Sequence, residues 1–338
     1  MPDQRTTLSE IASAAGVSIP TVSKVLNGRP DVSPATRARV QDLLDRRGYT
    51  ARRSGRPAGG AGLIDLIFRD LGSPWAMQIL DGVEELAYRA GIGVVVSAAR
   101  GRHRTRPDRR WIEQLSARRC DGVLLVLSDL SPGQHGQLGE LGIPVVIIDP
   151  AGRPDAGIPS VGATNWAGGV AATDHLLGLG HSRIAVIGGP PGVGCSRARV
   201  DGYRAAMNAA GRRVPAGYVR HGDFLAPSGH REMNALLDLS RPPTAVFACA
   251  DQMALGAYEA LHERGARVPD DMSIVGFDDL DGARWSAPPL TTVRQPLTEM
   301  AGMATRMLLS LIAGEELDSS RIELATPLIV RQSTRRAS

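Results

Sequence analysis

Lysine is almost missing from this chain. Lys24 is alone among 39 basic residues in a sequence of 338, and arginine supplies the rest. A Walker phosphate loop needs Gly-Lys-Ser/Thr, so the Gly-rich stretch Gly188–Ser196 cannot be one; nor does it spell the G-x-G-x-x-G of a dinucleotide site. Nucleotide hydrolysis is set aside on this ground. Cysteine is scarce too. Cys120, Cys195 and Cys249 are odd in number and widely spaced, which argues against a disulfide framework and offers no metal spacing. The seven histidines show no ligand spacing either, and no nucleophile–base pair stands out. The reading is therefore of a protein that is not an enzyme and carries no cofactor. No apolar run is long enough to span a bilayer and no signal peptide opens the chain, so no membrane is expected and the reducing cytoplasm is the expected compartment.

What is present is unevenly distributed. The length suits two or three domains, and 43% hydrophobic residues suit sizeable cores. The formal net charge is only +4, yet residues 1–60 hold ten basic against five acidic residues. Basicity sits where a polyanion would bind.

Residues 6–28, TTLSEIASAAGVSIPTVSKVLNG, read as a helix-turn-helix. Thr7 can cap a helix from Leu8, with Glu10 at the favourable end of its dipole. Leu8, Ile11, Ala12 and Ala15 share one apolar face. Gly16 ends the helix and Val17 plugs the turn. Ser18 caps a second helix that tolerates Pro20 in its first turn. Val22, Val25 and Leu26 form its buried stripe. On the outer side, Ile19, Pro20 and Lys24 are expected to meet base edges, Lys24 favouring guanine and the other two a thymine methyl. Thr7, Ser18, Thr21, Ser23, Asn27, Ser33 and Arg37 are expected to hold phosphates. Ser33 and Pro34 start a third helix, to about Arg47, whose Val40, Leu43 and Leu44 pack on the first two.

A linker of Gly, Arg and Ala follows over residues 50–62. Arg52, Arg53 and Arg56 either enter a narrow minor groove or make a merely flexible basic tether. Beyond Leu63, apolar runs alternate with amphipathic stretches. Strands are expected at 63–68, 93–98, 122–127, 145–148, 183–188, 245–250 and 272–277, with helices between them. Such alternation gives parallel α/β sheets with right-handed crossovers. The fold class is thus a small all-α helix-turn-helix domain plus an α/β core of two doubly wound parallel-sheet lobes. The expected divisions are 1–49 for DNA binding, 50–62 for the hinge and 63–333 for the core. The first lobe takes about 63–160 plus 290–315, and the second about 161–289 plus 320–333.

Ligands of open α/β sheets lie beyond the carboxyl ends of the strands. Polar and aromatic residues there are Asp70, Ser73, Trp75, Ser97, Ser128, Asp149, Asn165, Trp166, Arg199, Phe224, Asp251, Asp278 and Gln295. Carboxylates accept sugar hydroxyls, arginine donates a planar fork, and an aromatic face covers the C–H side of a pyranose.

The segment LSEIASAAGVSIPTVSKVLNG resembles the N-terminus of the lactose-repressor/galactose-repressor (LacI/GalR) family of bacterial transcription factors. The resemblance continues in Ser73-Pro74-Trp75, Gly180-His181, Arg199-x-x-Gly202-Tyr203, residues 251–256 (DQMALG), 275–279 (VGFDD) and 289–293 (PLTTV). It implies a core similar to periplasmic sugar-binding proteins. It also implies a repressor of carbohydrate genes, released by a small sugar or oligosaccharide. Arg199, Asp278, Phe224 and Trp75 match the family's ligand positions best, followed by Asp149, Asn165, Asp251 and Gln295. Two departures are visible: Ala250 stands where the family often has a polar residue, and no leucine lies between Leu44 and Leu63 to enter the minor groove from the hinge. A co-repressor-dependent regulator with a non-sugar ligand and a sugar-transport binding protein are the alternatives; the basic N-terminal module disfavours the second. One short helix reads few bases, so two copies on a pseudo-palindromic operator are expected. With no leucine-heptad tail after Thr326, a homodimer is expected, with the first core helix (75–90) and parts of the second lobe in its interface. Lys24→Ala is expected to relax base preference in selection from random-sequence DNA; an unchanged preference profile would remove Lys24 from that role.

Overall fold

In the computed structural model, the apolar spacings noted above become helices and strands with little displacement. Residues 8–26, 32–46, 61–68, 71–98, 109–127, 130–152 and 157–337 are described. The chain forms two compact units, 1–58 and 59–338.

The first unit contains α1 (Leu8–Ala15), α2 (Ile19–Leu26) and α3 (Pro34–Arg46). Ile11, Ala12, Ala15, Val22, Val25, Val40 and Leu44 close into one small core. Gly16 turns the corner at φ +63°, where nothing stands within 4 Å of a would-be Cβ, so backbone conformation alone calls for glycine there.

In the second unit two sheets are built by alternation. The first half runs β1 (Leu63–Phe68), α4 (Pro74–Ala90), β2 (Gly93–Ala98), α5 (Arg109–Arg118), β3 (Gly122–Val126), α6 (Pro132–Glu140), β4 (Val145–Ile148) and β5 (Ser160–Ala163). The chain continues through α7 (Asn165–Gly178), β6 (Ile184–Gly188), α8 (Gly194–Ala209), β7 (Val219–His221), α9 (Ala226–Leu237), β8 (Ala245–Ala248), α10 (Asp251–Glu263) and β9 (Ser273–Asp278). It closes with α11 (Asp281–Trp285), β10 (Thr291–Arg294), α12 (Leu297–Ile312), β11 (Arg321–Leu324) and β12 (Leu328–Ile329).

The first sheet has strand order β11-β5-β4-β3-β1-β2, and the second β12-β10-β9-β8-β6-β7. Every pairing is parallel except β12 with β10. Strands of the first sheet are apolar on both faces because both are covered. Ile64, Leu66, Leu124, Val126, Val146 and Ile148 join the core shared with α4 and α12. Their neighbours Ile67, Val123, Leu125, Val145 and Ile147 join the opposite layer with Trp111, Ile112 and Leu115 of α5.

The lobe boundaries differ from expectation at three places. Residues 290–294 belong to the second sheet, not the first, because β10 pairs with β9 and Leu290 and Val293 are buried in that lobe's core. The crossing to the first lobe comes only after Arg294. The stretch 320–333, expected in the second lobe, is divided between the two sheets. β11 stays in the first sheet beside β5, and the chain crosses at Ala325–Pro327, where Thr326 bonds with Thr164. Ser160–Ala163 likewise remains in the first sheet up to its end. Short strands of four residues carry no mark of which sheet they join; pairing decides it.

The helix carrying Arg199 crosses α7 at very short range. A Cβ on Gly202 would collide with the carbonyl oxygen of Trp166, and one on Gly169 with that of Arg199. Gly202→Ala is therefore expected to destabilise by about 1–3 kcal/mol through overpacking and to lower the melting temperature. Gly178→Ala, with open space at its Cβ, serves as the control and should leave it unchanged or raised.

Candidate DNA-binding and effector sites

In the first unit α2 turns Val22 and Val25 inward and leaves Pro20, Lys24 and Ile19 (47% exposed) outward, with Thr21 half-buried. Ser18 caps this helix: its Oγ accepts the Thr21 N–H at 3.4 Å and shares a 2.9 Å hydrogen bond with the Thr21 hydroxyl. Ser33 does the same for α3, accepting from Thr36 N at 3.3 Å and donating to Thr36 Oγ1 at 2.8 Å. Arg37 is half-buried on α3, and Ser23 lies on α2. Thr7, Asn27, Arg52, Arg53 and Arg56 lie outside the described residues.

The second candidate site is a cavity of about 100 Å³ between the lobes of the second unit. Ser73, Trp75, Leu127 and Asp149 line it from the first lobe, and Cys195, Arg199, Phe224, Gln252 and Asp278 from the second. Most of them end or follow a strand or open a helix at the carboxyl edge of their sheet, and Arg199 reaches the cavity from the second turn of α8. Leu127, Asp149, Phe224 and Asp278 all have positive φ, at 49°, 49°, 73° and 116°. A non-glycine residue in that region costs of order 1–3 kcal/mol and tends to mark functional sites. Four such residues on one cavity point to a site whose geometry overrides local preference.

Arg199 holds the cavity wall together. It is 2% exposed, and its Cζ lies 3.6 Å from the centroid of the Phe277 ring, a cation–π contact. Its Nε donates to Asn165 Oδ1 at 2.7 Å, Nη1 to the Cys249 carbonyl at 2.8 Å and to Asp278 Oδ1 at 3.4 Å, and Nη2 to Gln295 Oε1 at 3.0 Å. Gln295, on the segment crossing between lobes, also accepts from Trp75 Nε1 at 3.2 Å and donates to Asp149 Oδ2 at 3.3 Å. One amide thus ties an aromatic and a carboxylate of the first lobe to the guanidinium of the second. Asn165 donates to Asp149 Oδ1 at 3.5 Å.

The expected ligand residues divide accordingly. Ser73, Trp75, Asp149, Arg199, Phe224 and Asp278 come together on the cavity. Asn165 and Gln295 stand behind it and orient Arg199. Asp251 is buried but turned elsewhere. Its Oδ2 accepts the Leu280 N–H at 2.8 Å and its Oδ1 the Thr292 hydroxyl at 2.5 Å, so it fixes the loop that delivers Asp278. Trp166 lies outside the cavity, and Ser97 does not line it. Asp70 and Ser128 are outside the described residues. Ser73 also caps α4, accepting from Ala76 N.

Sequence reasoning missed Cys195, Asp223, Gln252 and the apolar lining of Phe68, Val126, Leu127, Leu225 and Leu280. Adjacent polar pairs hid the choice. Gln252 rather than Asp251 faces the cavity. Asp279 points away from it, accepting from Arg294 Nε at 2.7 Å and Arg331 Nη2 at 2.5 Å. The Gly188–Ser196 loop has a packing role: a Cβ on Gly189 would collide with the Phe224 ring.

Burial pushes the Asp149 carboxyl above its usual range, with Arg199 opposing. It pushes Asp278 up to about 7, again against the pull of Arg199. The Cys195 thiol, pushed up to about 12 by burial, stays protonated and lines the cavity as a small apolar group. Among the described residues no cluster of three or more His, Cys, Asp or Glu could hold a metal, and no helix is long and apolar enough to cross a membrane.

The chain is similar to known proteins over most of its length. Residues 7–51 match the model for bacterial regulatory proteins of the lacI family, and residues 173–334 that for the periplasmic binding protein-like domain. The HTH-type transcriptional repressor CytR of Escherichia coli strain K12 is 33% identical over 97% of this chain and 96% of its own length. The chain belongs to the LacI family. Solved LacI-type structures agree. A transcriptional regulator CelR–cellobiose complex superposes with a TM-score of 0.72 at 34% identity, over 97% of this chain and 100% of that one. A lac repressor dimer bound to operator and an anti-inducer gives 0.71 at 28%, over 98% and 100%. The LacI helix-turn-helix model spans α1, α2 and α3, and the curated relative is a transcriptional regulator.

Two outcomes follow from the acid–base state of Asp278. Burial pushes the Asp278 carboxyl up to about 7, above the ordinary carboxylate range, so its contribution to the stability of the ligand-free protein is whole below about pH 4 and is lost as pH rises through about 7. A polyhydroxylated ligand that donates to the ionised carboxylate should bind more tightly as pH rises, by up to ~10-fold per unit below about pH 7 and level above it. Calorimetric titration from about pH 5.5 to about pH 8.5 checks this. Asp278→Asn should weaken binding and flatten the profile; an equally steep profile in the variant assigns the titration to another group.

Proposed function

We propose that this LacI-family protein is a cytoplasmic repressor of carbohydrate-utilisation genes, with no catalytic role. It binds a pseudo-palindromic operator as a homodimer and leaves it when a small sugar or oligosaccharide enters the interlobe cavity. The observation that carries this reading is the convergence of Arg199, Asp278, Asp149 and Trp75 on one cavity between two lobes: two hydroxyl-accepting carboxylates, a planar donor fork and an indole. The cellobiose bound to the related CelR supports a sugar as ligand class, and the operator-bound lac repressor dimer supports the assembly.

In this reading residues 1–49 insert α2 into a major groove, with Ile19, Pro20 and Lys24 on base edges. Thr7, Ser18, Thr21, Ser23, Asn27, Ser33 and Arg37 hold phosphates. Arg52, Arg53 and Arg56 add attraction to the DNA through the linker 50–62. The ligand acts on the core through Gln295, whose amide already bonds to both lobes. A sugar that prefers one lobe separation shifts the population toward it, by no more than its difference in affinity for the two states. The cavity of about 100 Å³ is small beside the ~300–1,000 Å³ of pockets that bury larger ligands, so anything beyond a single ring requires the lobes to part.

The test is selection of bound fragments from the source genome at stated salt, with and without a panel of mono- and oligosaccharides. A palindrome beside sugar-uptake or glycosidase genes, lost on adding one sugar, is the expected result. Recovery only in the presence of ligand would replace induction by co-repression, and no enrichment under any condition would overturn the DNA-binding reading.

A further inference from the structure

The effector cavity makes no use of Trp166. This residue is 52% exposed and lines a second, larger hollow of about 440 Å³. The walls come from both lobes. Arg321 and Glu323 stand on β11, the outer strand of the first sheet, and Trp166 and Arg197 stand at the starts of α7 and α8 in the second lobe. Cys195 borders both hollows.

Three features of this hollow fit a carbohydrate. An exposed indole face suits the C–H side of a pyranose. Glu323 can accept from hydroxyls, while Arg197 and Arg321 can donate to them. The side chains of these three charged residues form no hydrogen bond or ion pair with another described residue, so their polar atoms remain available to a ligand. The third feature is Gly162, inside β5. Glycine weakens a strand and often marks a place where a ligand comes close to the backbone. A Cβ built there would meet only Pro150 Cδ, at 3.9 Å, so no packing demand accounts for the glycine.

We propose that this hollow is a second carbohydrate site, taking a neutral saccharide of one or two pyranose units across the two lobes. The inference rests on the sugar-responsive reading of the protein. Because its walls belong to different lobes, an occupant's affinity depends on lobe separation, and by linkage it changes the affinity of the cleft.

The full chain is titrated with glucose, cellobiose and maltose, counting bound molecules per protomer by native mass spectrometry and measuring affinities by calorimetry. Two saccharides per wild-type protomer are expected. Gly162→Leu, whose Cβ would meet only Pro150 Cδ at 3.9 Å, adds bulk to the wall of the hollow, and it and Trp166→Ala should each leave one. Asp278→Asn should leave only the other. A single saccharide that Asp278→Asn abolishes and Gly162→Leu spares overturns the second site and leaves the cleft reading standing. No saccharide bound to the wild type overturns both.

Discussion

A guanidinium shut away from water between two lobes sets the terms for the core. Arg199 cannot give up its charge there, so the fold must surround it with acceptors. It does so with Asn165, Cys249, Gln295 and Asp278, and with the face of Phe277. Removing one partner of a buried pair leaves an uncompensated charge and costs several kcal/mol, far more than a surface ion pair contributes. The acceptors therefore constrain one another. Asn165 opens α7 and Gln295 leads into α12, both where the chain crosses between lobes. Asp278 ends β9 in a backbone conformation few side chains adopt. The lobes are joined through the residues that would recognise a ligand, which is why a ligand can change their relation.

The same constraint explains the close crossing beneath. Arg199 reaches the cleft only because α8 lies against α7 at glycine distance, with Gly169 and Gly202 admitting backbone to backbone. Asp251, buried and satisfied by Thr292 and Leu280, holds the loop after β9 at the right height. Side chains that never meet the ligand thus fix the positions of those lining the cavity.

Much of this was legible from residue pattern. Continuous apolar runs such as LIDLIF and VVII mark strands covered on both faces, and the Ser-x-x-Thr caps and Gly16 mark the corners of the N-terminal helices. Less legible was lobe membership at the crossings. Thr291–Arg294 and Arg321–Leu324 are short, and only their hydrogen-bonded neighbours decide which sheet they extend. At the site, strand ends pointed to Arg199, Asp278, Asp149 and Trp75. Pattern does not choose between adjacent polar residues: it points to Asp251 where Gln252 lines the cavity, and to Trp166 although the turn of α7 carries that side chain away. Orientation within a helix's first turn depends on packing that a linear pattern does not contain.

The central claim is that occupancy of the Arg199–Asp278 cavity and occupancy of the operator are coupled through the lobes. Linkage makes this measurable from either end. The decisive measurement is sugar affinity of the full chain free and on its operator, beside operator affinity with and without that sugar. The account predicts that the operator weakens sugar binding by the same factor by which the sugar weakens operator binding. Sugar affinity identical on and off the operator would contradict it.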